Sequence, residues 1–187
     1  MRTDLTFDPL PRRAPTPDEP LIVNLRCPPP DVYVPAHRHD WAQLAYPLRG
    51  GIRIAAAGMT WLVPALRAVW IPPHIEHDVL MLGEVELRTV YIATEVAPLP
   101  LDACSVIEVS DLMRALFEAL SEVDRERPDS LLRRRQMTEL LLTEIRLAPP
   151  LSLGLPMPVD RRLQALCQAL FDDPASPWSL ADWAGRV

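Results

Sequence analysis

The four histidines of this chain fall in two tight groups, His37-Arg38-His39 and His74-Ile75-Glu76-His77, with residues 40–73 between them. Imidazole binds transition metals, titrates near neutral pH and hydrogen-bonds polar ligands, so two such groups brought together could do any of three kinds of chemistry. His37 and His39 stand at i and i+2, and on a strand both would point to one face. Gln43 shares their parity beyond a bend expected at Asp40-Trp41. His77 follows Ile71-Pro72-Pro73, which reads as a strand end and turn. If the intervening segments are strands that close on themselves, His37, His39, Gln43 and His77 converge in the interior. Three neutral imidazoles there suit one divalent transition metal (zinc, nickel or copper) with a position left open. Gln43 would then be a fourth ligand, neutral and weaker than a carboxylate, or a partner to a ligating histidine. The alternative is a metal-free pocket in which the same histidines hydrogen-bond a small molecule or one another. Both readings stay open at this point. His74 reads as a turn residue at the rim.

The elements that must position these residues are short and β-rich. Runs at 21–26, 32–37, 41–48, 52–57, 60–63, 68–71, 78–82, 85–93 and 104–109 read as strands, and Arg49-Gly50-Gly51 reads as a hairpin turn. Strands at this spacing predict a sandwich or barrel over residues 21–109. Tyr33, Trp41, Tyr46 and Trp70, with Arg88, are the candidates to line a ligand pocket, although ordinary core accounts for most aromatic positions. Arg53 and Arg88 could each neutralise an acidic ligand or simply face solvent.

After Ser110 the pattern turns helical. Ser110-Asp111 caps a predicted helix with Leu112, Leu116, Leu120 and Val123 on one face, broken by Pro128. A second helix is predicted from Asp129 to Leu147, with Met137, Leu140, Leu141 and Ile145 inward. The Pro-rich stretch 149–158 reads as an extended linker. A third helix, Val159 to Phe171, is predicted to bury Leu163, Leu166, Leu170 and Phe171. Ser179 caps a fourth that starts at Leu180 and runs into the last residues, so the sequence reads as ending inside a helical domain. Residues 1–20, polar and rich in proline, read as a flexible arm.

Composition narrows the class. The 49% hydrophobic content is ample for a core, and the net charge of −6 disfavours a chain that grips a phosphate backbone by itself. Three scattered cysteines form no C-x-x-C pair, which points to a reducing cytoplasm, and no apolar run is long enough to predict a membrane span.

His37-Arg38-His39-Asp40-Trp41-Ala42-Gln43 with Gly50 after it, and Pro72-Pro73-His74-Ile75-Glu76-His77, resemble the two signature motifs of the cupin superfamily. Gln43 stands where that pattern has a metal-binding glutamate, and His74 where it has a turn glycine. With Val69-Trp70-Ile71-Pro72 and Trp178-Ser179-Leu180-Ala181-Asp182-Trp183-Ala184, the whole is similar to the AraC/XylS family of bacterial transcription regulators. The resemblance implies a mainly β protein with an α-helical C-terminal part. Its parts would be a cupin (RmlC-like jelly-roll) barrel over 21–109, a helical dimerisation pair over 110–148, the linker, and an incomplete helix-turn-helix domain over 159–187. It further implies a small-molecule effector in the barrel, a homodimer, and DNA contact only through a further C-terminal domain. It implies no catalysis; the rival reading is a cupin metalloenzyme, a dioxygenase or isomerase with a three-histidine metal site and Glu76 as its nearest acid.

Overall fold

Two long strands organise the protein. The computed structural model describes residues 13–100, 102–122 and 128–185. In it β3 (Ala42–Ala56) and β6 (His77–Ile92) run antiparallel along most of their length. The other strands are β1 (Leu21–Arg26), β2 (Tyr33–His37), β4 (Met59–Pro64), β5 (Arg67–Ile71), β7 (Ser105–Glu108), β8 (Pro150–Leu151) and β9 (Gly154–Pro156). The first half of β3 pairs with the end of β6 and with β5, and β1 and β7 lie outside them. Its second half pairs with the start of β6 and with β4, and β2 lies beyond β6. The two halves face one another across a shared interior, the barrel expected from the strand spacing.

The bend between the halves corrects one expectation. Arg49-Gly50-Gly51 is no hairpin turn: β3 passes through it with register shifts on either side of Arg49. Gly50 takes φ +69°, and a Cβ there would lie 2.3 Å from the Glu84 carbonyl oxygen. The glycine therefore serves a bulge, which bends the strand without reversing it. The reversal comes at Ala57-Gly58, whose φ values of 49° and 75° are the left-handed pair that a two-residue hairpin loop requires.

The bulge also changes which parity points inward. Before it Gln43 and Ala45 face the interior, while Leu44 and Tyr46 face out; after it Ile52 and Ile54 face in and Arg53 faces out. The interior is filled by Val34, Ala45, Ile52, Ile54, Val69, Ile71, Val79, Met81 and Leu87. A second core covers the outer face of the first half, where Leu44, Tyr46, Trp70, Val90 and Ile107 meet α1 (Asp111–Glu122) and α2 (Pro128–Leu147). Ser110 caps α1, its Oγ accepting from the Met113 N–H at 3.1 Å. The buried face of α1 is Met113, Leu116, Phe117 and Leu120, with Leu112 outside it, and that of α2 is Leu141 and Ile145, with Leu140 exposed. Pro128 opens α2, where its missing N–H costs nothing.

Residues 149–158 are extended as expected but are more than a linker. β8 pairs with β7 and β9 with β4, so the segment straps both edges of the barrel. α3 (Arg161–Asp172) follows, capped by Asp160, and then α4 (Leu180–Ala184), capped reciprocally by Ser179 and Asp182. The apolar stripe expected to bury α3 does not: Leu163 and Leu170 are exposed, and Leu166 and Phe171 are half-buried. The face of α3 nearest the sheet instead carries Gln168 and Phe171, both against Arg53. Residues 1–12 of the expected arm, Val123 and the last two residues lie outside the described residues. Of the arm, Glu19 pairs with Arg13 and with Arg134 of α2. Among the described residues no helix is long and apolar enough to cross a membrane.

Candidate functional site

The two histidine groups meet at one end of the barrel interior. His37 ends β2 and pairs across to His77 at the start of β6. The His74 N–H donates to the His39 carbonyl oxygen at 2.8 Å and so ties the two groups together. His74 itself takes φ +62°, the left-handed conformation that its place in the motif requires. The ring of His77 lies 4.3 Å from that of His37 and 5.2 Å from that of His39, centroid to centroid. His39 and His77 are 5% and 1% exposed, and Gln43 is buried beside them.

Each of the three rings is held through Nδ1. His37, His39 and His77 donate from Nδ1 to the carbonyl oxygens of Pro35, Trp41 and Ile75 at 2.9, 2.6 and 2.9 Å. A neutral ring that donates from Nδ1 keeps its lone pair on Nε2. His39 Nε2 meets the Gln43 side-chain amide at 2.9 Å, a contact in which the amide NH2 must donate while the ring proton sits on Nδ1. His77 Nε2 is buried with no hydrogen-bond partner among the described residues. Burial drives the His77 imidazole down to about 4, against the opposing pull of its Ile75 bond, and burial lowers His39 as well. Both rings are therefore neutral at pH 7.

Three rings anchored through Nδ1, with His77 Nε2 buried and unpartnered, form a donor set whose chemistry fits a divalent transition metal. The spacing is another matter: among the described residues no three His, Cys, Asp or Glu side chains stand close enough to enclose an ion. The same donors serve equally to accept hydrogen bonds from a polar ligand. Space beside them is small, a cavity of about 20 Å³ bounded by Arg26, His37, Gln43 and Thr89 among others.

Of the five residues expected to line a ligand pocket, Trp41 joins the cluster. Its ring stacks on His39 at 5.3 Å and 4° and meets Tyr91 edge-on at 6.0 Å. Tyr46, Trp70 and Arg88 do not join it, because they lie on the helix-covered outer face. Tyr46 packs on Phe117, Trp70 donates from Nε1 to the Pro100 carbonyl oxygen, and Arg88 reaches Ser121 of α1. Tyr33, next to inward-facing Val34, points the opposite way and is half-buried.

Residues 23–141, well over half of the chain, match the family described as the AraC-like ligand binding domain. This chain belongs to that family. The HTH-type transcriptional regulator NimR of Escherichia coli (strain K12) is 28% identical over 152 residues, which cover 81% of this chain and 55% of NimR. The chain thus spans about half the length of that relative. An apo ToxT variant from Vibrio cholerae superposes with a TM-score of 0.50 at 11% identity, over 93% of this chain and 72% of that one, and shows the fold. A wild-type ToxT bound to an unsaturated fatty acid gives 0.47 at 10% identity, over 93% and 70% of the two chains.

Within this AraC-like domain, Arg26 escaped the sequence reading, and the surroundings of Tyr91 and Arg53 were not legible in it. Arg26 shares a small cavity with His37 because β1 pairs with β6, and Tyr91 stands opposite Gln43 because β6 pairs with β3, neither of which a local pattern signals. Arg53 alternates with Ile52 and Ile54, a pattern that places it outside the barrel without revealing that α3 covers it.

Proposed function

We propose that this chain is the effector-sensing part of a transcription regulator of the AraC family, and that it recognises its effector at the histidine end of the barrel. The buried group of His37, His39, Gln43 and His77 carries this reading. An interior built for stability alone would be apolar, since each buried polar group costs free energy unless fully paired. His77 Nε2 is unpaired. Glu76, the acid a metalloenzyme would call on, is exposed at the edge of an outer cleft, which favours sensing over catalysis. In this proposal the protein is a homodimer through α2, which exposes Leu131 and Leu132 at 62% and 65%. DNA is met through a helix-turn-helix domain of which α3 and α4 form the first part.

A thermal-shift screen of small polar molecules tests the reading. Compounds that raise the melting temperature of the wild type and leave His39→Ala unmoved would support it. A library without a hit, or hits indifferent to His39→Ala, would sink it. A second reading, a divalent transition metal as effector or resident ion, is favoured by the unpartnered His77 Nε2 beside the rings of His37 and His39. Chelated protein given one equivalent of zinc, nickel or copper should then gain stability, and His77→Gln should abolish the gain.

A further inference from the structure

Arg88 is 9% exposed beneath the C-terminal half of α1, and among the described residues it has no ion pair. Arg53 and Arg134 also bury most of their side chains, and each faces a carboxylate, Asp78 and Glu19. Arg88 has instead one terminal nitrogen 3.4 Å from the Ser121 Oγ, at the limit of a hydrogen bond, and an Nε that is buried without a partner. Ser121 Oγ donates its own proton to the Glu118 carbonyl oxygen at 2.7 Å, so it offers Arg88 only a neutral lone pair. A guanidinium taken out of water with no anion beside it is a costly arrangement.

The neighbours of Arg88 suit an anion. In the sheet it stands between Tyr46 on β3 and Leu25 on β1. Burial raises the Tyr46 hydroxyl, while Arg114 of α1 and Arg88 pull it down, so both cations bear on one oxygen. Arg114 is bonded to Asp111, and its side chain is 42% exposed. Leu25 is 49% exposed and Ser121 is exposed, so the seam between α1 and β1 opens to solvent beside Arg88. Donors from Arg88 and Tyr46 on the sheet and from Arg114 on the helix approach from different sides. A carboxylate presents two oxygens in one plane, whereas a phosphate group presents three strong acceptors that point apart. Guanidinium forks bind it with paired donors.

We propose that Arg88, with Tyr46 and Arg114, forms an oxyanion site on the outer face of the barrel under α1, and that it takes a phosphate group, free or as a monoester. The site is separate from the histidine end and does not rest on the sensor reading. The anion takes Arg88 from Ser121 and bonds the sheet to α1. Because α1 and α2 share one core with that face of the sheet, occupancy sets how firmly the helical pair is held.

Thermal melts and calorimetry on the full 187-residue chain test the proposal, with inorganic phosphate, sodium acetate and sodium chloride compared at matched ionic strength. Phosphate should raise the melting temperature where acetate and chloride do not, and should bind one per chain. Arg88→Met keeps the apolar stem and removes the unpaired charge. It should melt no lower than wild type without phosphate, and should bind phosphate at least tenfold more weakly. Arg114→Gln, at an exposed position of α1, should also weaken phosphate and gives a second reading of the same site. Phenyl phosphate separates the two sources: binding at least tenfold tighter than inorganic phosphate assigns the site to a phosphate monoester, and equal binding assigns it to the free anion. Phosphate no better than chloride, equal stabilisation by acetate, or binding kept in Arg88→Met overturns the proposal. A marked loss of stability in phosphate-free Arg88→Met also overturns it, since Arg88 would then be satisfied within the fold.

Discussion

His77 should make the protein lose stability in mild acid, by an amount the structure allows to be worked out. Its ring is almost fully buried, and burial lowers it to about 4 from the 6.5 of an unfolded chain. Between those values the unfolded state binds more protons than the native one, so the contribution is fully present above about pH 6.5 and is lost as pH falls toward 4. At about 1.4 kcal/mol per pKa unit the full loss is about 3 kcal/mol, of which about 2 kcal/mol falls between pH 7 and pH 5. His39, also lowered by burial, changes stability in the same direction. Urea denaturation at pH 7 and pH 5, with chelator present, reads the effect for wild type and for His77→Gln, which cannot titrate. The stability difference between wild type and variant should shift by about 2 kcal/mol over that interval, at unchanged m-value. If both proteins lose the same stability on acidification, His77 is not the buried neutral imidazole described above.

Three further outcomes follow from the packing. Gly50→Ala should destabilise by at least about 2 kcal/mol, because positive φ and a backbone oxygen oppose the new Cβ; Gly58→Ala, with open space around it, should cost about 1 kcal/mol, and thermal melts of both separate the two effects. Phe117→Ala should cost about 3–5 kcal/mol in urea denaturation, since the ring is fully buried between α1 and the sheet and stacks near Tyr46. Leu132→Glu should leave the melting temperature of the folded chain nearly unchanged but shift sedimentation at tens of micromolar from dimer to monomer; a wild type that is already monomeric there refutes dimerisation through α2.

What was legible in the sequence was local and periodic. The i, i+2 spacing placed His37 and His39 on one face because a strand repeats every two residues. The turn motif placed His74 at positive φ, and Ser110 and Ser179 marked helix starts because their side chains satisfy the first backbone N–H groups. The error at Gly50 is instructive: a glycine pair signals unusual backbone, but a bulge and a hairpin need the same freedom, and only the partner strand decides between them. Tyr46 and Arg88 alternate with Gln43 and Leu87 as cleanly as pocket residues would. Both faces of that half-sheet are buried, one by the barrel and one by α1 and α2, so hydrophobic alternation has no sign to read.

The sequence by itself therefore determined the β-rich region, the helix starts and the spacing of the two histidine groups. Tertiary structure alone decided which parity faces inward, through one bulge. It also decided that an arginine on the outward parity would be buried, because α3 returns along the strapped segment to cover it.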